Sequence, residues 1–156
     1  MSKFKTKAIY FDLDGTVADL YNTDGWLESL ESESPVFAEL KPLIDMQELQ
    51  EVATKLFMKG YKFGVITHLP MNCTPHYARE SEEEKRIWCR KYLPFIQEFH
   101  AQAYGLDKFL AVPFASDDML LIDDNSLVRT KWMRHHGCNA IDPTKVDIIK
   151  YLKSLL

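Results

Sequence analysis

The sequence predicts an α/β fold, a three-layer Rossmannoid arrangement in which helices flank a parallel sheet on both sides. Apolar runs of strand length occur at residues 7–12, 62–67, about 99–104, 119–122 and 138–141. Segments of helical periodicity separate most of these runs, and alternating strands and helices are typical of a parallel sheet covered by helices. With 156 residues, 46% hydrophobic and 27% charged, the chain is expected to form a single domain, residues 1–156, around one core.

Helices are predicted at residues 46–58, from about 81 to before 94, at about 126–135, and from 143 onward. Asp45 and Glu48 have the spacing of a capping box at the start of the first of these helices. Gly137 is the expected terminator of the third. Asp142 followed by Pro143 predicts the cap and the first helical position of the last.

The first predicted strand ends in two acidic residues, Asp12 and Asp14, followed by Gly15 and Thr16. Side chains two residues apart on a strand point to the same side, so both carboxylates are expected at the carboxyl edge of the sheet, where α/β proteins bind ligands. Two like charges this close resist ionising together unless a cation lies between them. Oxygen ligands without a neighbouring histidine or thiol favour Mg²⁺ over zinc. Such a pair suits phosphoryl transfer, because one carboxylate can attack phosphorus while the other protonates the departing oxygen.

This motif has two other interpretations. An EF-hand loop also alternates aspartates, but it needs glycine at loop position six, whereas Gly15 is the fourth residue from Asp12 and an apolar strand precedes it. A plain strand-end turn also favours Asp and Gly. A second acidic pair, Asp123 and Asp124, follows the apolar run 119–122. Neighbouring parallel strands would bring all four carboxylates to one edge, which favours metal-dependent phosphoryl transfer.

Over roughly residues 8–140, the chain resembles the haloacid dehalogenase (HAD) superfamily of phosphatases. The matches to its four motifs are, in order, Asp12, Asp14 and Thr16; Thr67 at the end of the run 63–67; a lysine before the last acidic strand; and Asp123 with Asp124. The resemblance implies an Mg²⁺-dependent phosphomonoester hydrolase that acts through an aspartyl-phosphate intermediate.

The chain is similar in particular to the 5′(3′)-deoxyribonucleotidase branch. Residues 84–93 resemble the Lys-x-x-Trp-x-x-Lys-Tyr helix of that branch, and Asp107 with Lys108 resembles its Asp-Lys pair. The interval from Lys108 to Asp123 is longer than in that branch, and the stretch between the first and second motifs, which carries the cap, is much shorter. The resemblance implies a (deoxy)nucleoside 5′-monophosphate or a similar small phosphate as substrate, under a shortened cap.

The resemblance assigns roles to the acidic residues. Asp12 would be the nucleophile and a metal ligand, and a purely metal-binding carboxylate is the alternative. Asp14 would act as general acid and then as general base, and its backbone carbonyl would complete a metal site shared with Asp123. Asp124 would support the site from outside the ligand set, or bind the metal directly.

Two hydroxyls and a lysine are expected to bind the phosphate. The Thr67 hydroxyl and the next backbone amide can hold phosphate oxygens, unless this threonine only stabilises a turn. Thr16 of the first motif would lie on the phosphate side as well. By resemblance, Lys108 neutralises charge on the transferring group, and Lys85, on a helix leading to the same edge, is the alternative.

Residues 20–42, directly after the first motif, are the least regular stretch of the chain and are predicted to form a small lid that includes Pro35. Its aromatic residues Tyr21, Trp26 and Phe37 either stack on a base and cover the active site, or fill the lid's own small core. The lid is therefore the segment expected to determine how large a substrate enters.

Cys73, His76 and Cys89 supply three candidate zinc ligands instead of a compact four, so they are interpreted as ordinary residues, with a zinc site as the alternative. Three cysteines are too few and too scattered for a disulfide framework and suit a reducing, cytoplasmic location. The basic residues 1–7 precede an apolar run that is soon broken by acidic residues, so neither a signal peptide nor a membrane span is expected. A net charge of −4 argues against binding of extended nucleic acid.

The leading hypothesis is thus a cytoplasmic, Mg²⁺-dependent phosphatase for a small phosphorylated substrate. The short lid leaves open a second hypothesis, in which the substrate is a phosphorylated protein or a nucleic acid end. A third is a non-catalytic binding protein with the same fold, which the complete set of motif residues disfavours. The sequence predicts no particular oligomeric state.

Overall fold

The structure, a computed structural model, describes residues 7–34, 36–112 and 118–156. Pro35 of the predicted lid and the basic residues 1–6 lie outside the described residues. Within the described ranges, one parallel sheet of five strands has the order β3-β2-β1-β4-β5. The strands are β1 (Lys7–Phe11), β2 (Tyr61–His68), β3 (Glu98–Gln102), β4 (Asp118–Ile122) and β5 (Ala140–Ile141). The predicted α/β fold class is confirmed.

Each strand lies where an apolar run predicted it, and no end shifts by more than two residues. β3 covers Glu98–Gln102, one residue earlier than expected at its start, and β5 is reduced to Ala140–Ile141. The helices are α1 (Trp26–Glu31), α2 (Met46–Met58), α3 (Pro75–Tyr92), α4 (Ser126–His136) and α5 (Ile148–Ser154), with short 3₁₀ turns at Phe37–Glu39 and Lys108–Ala111.

Capping residues explain where the helices begin and end. α2 has the predicted bounds, and the Asp45 carboxylate accepts a hydrogen bond from the Glu48 backbone N–H at 3.0 Å. α4 ends at His136, one residue later than predicted, and Gly137 follows as its expected terminator in the left-handed conformation with φ 65°.

The predicted start of α3 is wrong. α3 begins at Pro75 instead of near Ser81. Thr74 caps it by accepting a hydrogen bond from the Tyr77 backbone N–H at 3.2 Å, and Pro75 occupies the first turn, where a missing N–H has no cost.

The predicted start of the last helix is also wrong. α5 begins at Ile148 with Asp147 as its cap. Asp142 instead closes a local turn, since its carboxylate accepts hydrogen bonds from the Thr144 backbone N–H at 2.9 Å and from the Thr144 hydroxyl at 2.6 Å. Side-chain bonds of this kind offer the backbone an alternative to the helix.

Side chains that alternate along β1 divide the core into two layers. Ile9 and Phe11 face a cluster that includes α2, α3 and α5. Ala8 and Tyr10 face a smaller cluster that includes Trp132 of α4. The sheet is therefore covered on both faces, as the three-layer prediction requires.

The register of the central strands determines what meets at the carboxyl edge of the sheet. Phe11 of β1 pairs with Val65 of β2 on one side and with Ile122 of β4 on the other. Asp12 and Asp123 therefore follow directly on neighbouring strands, and Thr67 lies near the end of β2. Among the helices of the described ranges, none combines the length and the apolar character needed to cross a membrane.

Candidate active site

Carboxylates from two distant segments meet at the carboxyl edge of the sheet. The Asp12 backbone N–H donates to the Ile122 carbonyl at 2.9 Å, which continues the pairing of β1 with β4. Asp12 and Asp123 are buried, whereas Asp124 is half-buried. One carboxylate oxygen from each of the three lies within 4.8 Å of the others. The structure thus brings together the two acidic motifs that are about a hundred residues apart in the chain.

Thr16 joins the two acidic segments. Its hydroxyl donates to Asp12 Oδ2 at 2.9 Å and accepts from the Asp124 backbone N–H at 3.2 Å. Because a hydroxyl has one proton, and Asp12 accepts it, none remains for a phosphate oxygen. In this geometry Thr16 positions the two acidic segments, and the phosphate contact that the resemblance implies stays a prediction.

Lys108, at the start of the 3₁₀ turn Lys108–Ala111, lies against the acidic cluster. It is 4% exposed, and its Nζ lies 2.7 Å from Asp12 Oδ1 and 2.6 Å from Asp123 Oδ2. Burial acts to lower the pKa of this ammonium, but the charges of the two carboxylates outweigh burial and raise the pKa of Lys108. Lys108 is therefore a fixed positive charge beside Asp12.

Lys85, which the sequence offered only as an alternative, also reaches the site. It projects from α3, is 4% exposed, and its Nζ lies 3.1 Å from Asp14 Oδ2. The same Nζ donates to Thr67 Oγ1 at 2.8 Å and to the backbone carbonyl of His68 at 2.7 Å. The structure thus places both candidate lysines at one site, on different carboxylates.

The crowded carboxylates carry raised pKa values. Burial, together with the charge of Asp12, raises the pKa of Asp123 to about 6 and that of Asp124 to about 7. Burial also raises the pKa of Asp14, although Lys85 acts in the opposite direction. Burial is the largest cause of each shift, and repulsion between neighbouring carboxylates adds to it. A divalent cation among these oxygens would reduce that repulsion.

The donor set fits Mg²⁺. The three clustered ligand atoms are carboxylate oxygens, with no histidine or cysteine among them. Gly15, with φ +78°, lets the chain turn tightly here, since a Cβ at this position would lie 2.5 Å from Asp124 Oδ2 and 2.6 Å from Cε2 of Tyr21. The glycine therefore leaves room for the Asp124 carboxylate beside the backbone of the first motif.

A cleft of about 430 Å³ opens above these residues. Its floor includes Asp12, Asp14, Lys85, Lys108 and Asp123, and its walls include the predicted lid aromatics together with His68, Met71, Tyr77 and Tyr104. A larger groove of about 850 Å³ runs behind Gly15 and Asp124 toward α5, but neither lysine lines it. The smaller cleft, which is lined by the four candidate aspartates and both candidate lysines, is thus the candidate active site.

The lid aromatics divide between the two uses that the sequence left open. Phe37 is buried and packs edge-on against Trp88, with ring centroids 5.8 Å apart. Tyr21 is 51% exposed and meets Trp26 edge-on at 5.2 Å. All three line the cleft, so Phe37 serves both the core and the wall, whereas Tyr21 and Trp26 stand at its open side.

The lid rests on α3. The Trp88 indole N–H donates to the Leu40 carbonyl at 2.9 Å, and the Ala38 backbone N–H donates to Glu84 Oε2 at 2.5 Å. These contacts fix the lid to the same helix that carries Lys85. The residues predicted as an alternative zinc site do not converge: within the described ranges, the group able to hold a metal is the aspartate cluster, and Cys73, His76 and Cys89 are not part of it.

Sequence reasoning gave little weight to Lys85 and did not identify His68 or Tyr104 as wall residues. A signal for Lys85 was present, because Tyr77, Ser81, Lys85 and Trp88 recur at helical spacing on the buried face of α3. A lysine on the buried face of a helix loses contact with water, so its charge requires a buried partner.

No protein-family model matches the chain, and no curated protein matches it. Eight solved chains match it in structure. One of these is the D,D-heptose 1,7-bisphosphate phosphatase from Burkholderia thailandensis, which is 14% identical, with a TM-score of 0.56 over 96% of this chain and 97% of that chain. The likeness shows that the chain shares the fold of this phosphatase over nearly its whole length.

Proposed function

We propose that the chain is an Mg²⁺-dependent, HAD-type phosphomonoester hydrolase that forms an aspartyl-phosphate on Asp12. The observation that carries this proposal is the convergence of Asp12, Asp123 and Asp124 with Lys108 at the floor of a cleft. A structural neighbour described as a bisphosphate phosphatase supports the same reaction class. The fold alone does not imply a function, so the proposal rests on the site.

Two carboxylates would carry the covalent chemistry. A carboxylate oxygen of Asp12 attacks phosphorus, and the bond from phosphorus to the leaving-group oxygen breaks as Asp14 gives that oxygen a proton. Asp14 then removes a proton from a water molecule, which attacks the phosphorus of the aspartyl-phosphate. Inorganic phosphate leaves, and both carboxylates return to their starting state.

A count of donors assigns the lysine that faces the phosphate. An ammonium has three N–H donors. Lys108 uses two of them on Asp12 and Asp123, so one remains for an oxygen of the transferring group. Lys85 already has three acceptors at hydrogen-bond distance. This count supports Lys108 as the lysine that neutralises charge on the phosphoryl group.

The metal ligands are proposed from the aspartates that cluster at the floor of the cleft. Both carboxylate oxygens of Asp123 accept hydrogen bonds, from Lys108 and from the Asn125 backbone N–H. Asp124 is half-buried and lies beside Asp12. Both carboxylate oxygens of Asp12 accept hydrogen bonds as well, from Lys108 and Thr16, so these contacts do not separate the candidates. The proposed ligands are Asp12, the Asp14 carbonyl and Asp123, with Asp124 supporting the site or binding the metal directly. Bound Mg²⁺ would neutralise the carboxylates and polarise the phosphoryl oxygens.

The cleft supports a small substrate with a planar, apolar part. Its volume, about 430 Å³, lies within the range of sites for small molecules. Trp26, Tyr77 and Tyr104 line it, and aromatic walls can stack on the flat ring of a base. A (deoxy)nucleoside 5′-monophosphate fits this description. It is also the substrate that the resemblance to deoxyribonucleotidases implies.

A metabolite panel assayed for phosphate release tests this proposal. With Mg²⁺ we expect turnover that EDTA abolishes, and Asp12→Asn should lower the rate by at least about 10³-fold. Asp118→Asn, at an exposed aspartate at the start of β4, away from the carboxyl edge of the sheet, is the matched control and should keep the wild-type rate. Folded wild-type protein that releases phosphate from no phosphomonoester would overturn the proposal and favour a binding protein. Faster turnover of 3′-phosphorylated oligonucleotides or phosphopeptides than of mononucleotides would assign a macromolecular substrate.

A further inference from the structure

One buried cation in the cleft has no part in the chemistry described above. Lys85 is 4% exposed and lies on the floor of the cleft, beside Asp14. A charged lysine is rarely buried to this extent unless partners compensate its lost hydration. Its environment therefore indicates what it does.

Every N–H of the Lys85 ammonium has an acceptor within the protein. The three acceptors are Asp14 Oδ2, Thr67 Oγ1 and the carbonyl of His68, at distances from 2.7 to 3.1 Å. Three donors and three acceptors leave no N–H for a substrate. The cation can therefore act on the reaction only through the groups that it holds.

The contact with Thr67 orients a proton. Thr67 is fully buried at the end of β2, and its hydroxyl oxygen accepts from Lys85. With a lone pair occupied in this way, the hydroxyl proton must point away from Lys85, and a phosphate bound above Asp12 would supply an acceptor for it.

The contact with Asp14 holds one carboxylate oxygen and leaves the other. Oδ2 accepts from Lys85, whereas Oδ1 is buried with no hydrogen-bond partner among the described residues. A buried, unpaired carboxyl oxygen is unfavourable unless a ligand satisfies it. Oδ1 is thus the oxygen available to the leaving group.

We propose that Lys85 is a positioning residue that orients the Thr67 hydroxyl toward the phosphate and the Asp14 carboxyl toward the leaving-group oxygen. This inference rests on the proposed phosphatase function. It separates the two buried lysines by task, since Lys108 contacts the phosphoryl group and Lys85 aligns the acid and the hydroxyl. The ring of Phe37, a lid residue, has its centroid 5.1 Å from the Lys85 Nζ and so covers this ammonium from the lid side.

The two tasks of Lys85 can be measured separately. Cleavage of p-nitrophenyl phosphate hardly needs a general acid, because p-nitrophenolate leaves unprotonated, whereas an alkyl phosphate needs one. In Lys85→Met we expect kcat/KM for the best alkyl phosphate of the panel to fall about 100-fold, and that for p-nitrophenyl phosphate to fall less than about 10-fold. The inhibition constant of inorganic phosphate should rise several-fold because the Thr67 proton loses its orientation.

Two matched variants accompany this measurement. Lys91→Met makes the same change at an exposed position of the same helix and should leave both substrates and phosphate inhibition unchanged. Lys85→Arg keeps the charge and donors and should recover part of the alkyl-phosphate rate. Equal losses on both substrates in Lys85→Met, or no loss beyond that of Lys91→Met, would overturn the inference.

A wild-type crystal soaked with orthovanadate gives a test that does not depend on how well a variant folds. We expect Lys108 Nζ within hydrogen-bond distance of a vanadate oxygen and Lys85 Nζ still on Asp14 and Thr67. A direct contact of Lys85 with vanadate would overturn the inference while leaving the phosphatase proposal intact. Absence of phosphatase activity in the wild type would instead remove the proposed function itself.

Discussion

Replacement of Gly15 by alanine is the sharpest structural test of the metal-binding edge. The residue has φ +78°, and its new Cβ would lie 2.5 Å from Asp124 Oδ2 and 2.6 Å from the Tyr21 ring. Contacts this short are far inside normal van der Waals separation, so the Asp124 carboxylate and the Tyr21 ring must move. Gly15→Ala should therefore affect both stability and metal binding.

The magnitude follows from two terms. A left-handed backbone at a non-glycine residue costs about 1 kcal/mol, and overpacking costs about 1–3 kcal/mol more, so we expect the free energy of unfolding to fall by about 2–4 kcal/mol. Gly137→Ala isolates the first term, because Gly137 has φ +65° and no atom of the described residues lies within 4 Å of its added Cβ. That control should lose only about 1 kcal/mol.

Urea unfolding in EDTA measures both losses, and isothermal titration calorimetry measures Mg²⁺ binding to the folded proteins. We expect Gly15→Ala to bind Mg²⁺ at least about 10-fold more weakly than the wild type, since Asp124 is displaced, and Gly137→Ala to bind it normally. Equal destabilisation of the two variants, together with unchanged Mg²⁺ affinity in Gly15→Ala, would refute the reasoning about this cradle.

Two further predictions concern charge and the lid. The pKa values of Asp123 and Asp124 are raised to about 6 and about 7, so the folded metal-free protein retains protons that the unfolded chain releases above about pH 4. The stabilisation from these protons is lost as pH rises through 6 to 7. The melting temperature in EDTA should therefore fall between pH 5 and pH 8. Mg²⁺ should raise the melting temperature more at pH 8 than at pH 5. An equal rise at both pH values would contradict this prediction. Trp88→Phe removes the indole N–H that satisfies the buried Leu40 carbonyl, so urea unfolding should show a loss of about 2–4 kcal/mol; a loss below about 0.5 kcal/mol would show that the lid does not depend on this bond.

Local sequence patterns predicted the fold class and the acidic edge of the sheet. Strand-length apolar runs and capping residues act over a few neighbours, and for this reason α2 has its predicted bounds and the strands lie where they were expected. The errors at α3 and α5 have the same local origin, since Thr74 and Asp147 compete with other good caps nearby.

Only the tertiary structure shows how the surroundings of neighbouring or similar residues differ. Asp123 and Asp124 are adjacent and chemically identical, yet Lys108 and the Asn125 backbone satisfy the first, while the second lies half-buried beside Asp12. Nothing in the sequence indicated that the Thr16 hydroxyl connects the two acidic segments, which the structure shows.

The sequence by itself determined that four aspartates follow two buried strands, and hence that a charged edge forms, because strand ends and apolar runs are local features. Only the tertiary structure decided which lysine faces Asp12 and which faces Asp14. Lys85 and Lys108 reach these carboxylates from segments 71 and 96 residues away. Burial and the counting of hydrogen-bond donors at such distances depend on how the helices pack, which no local pattern contains.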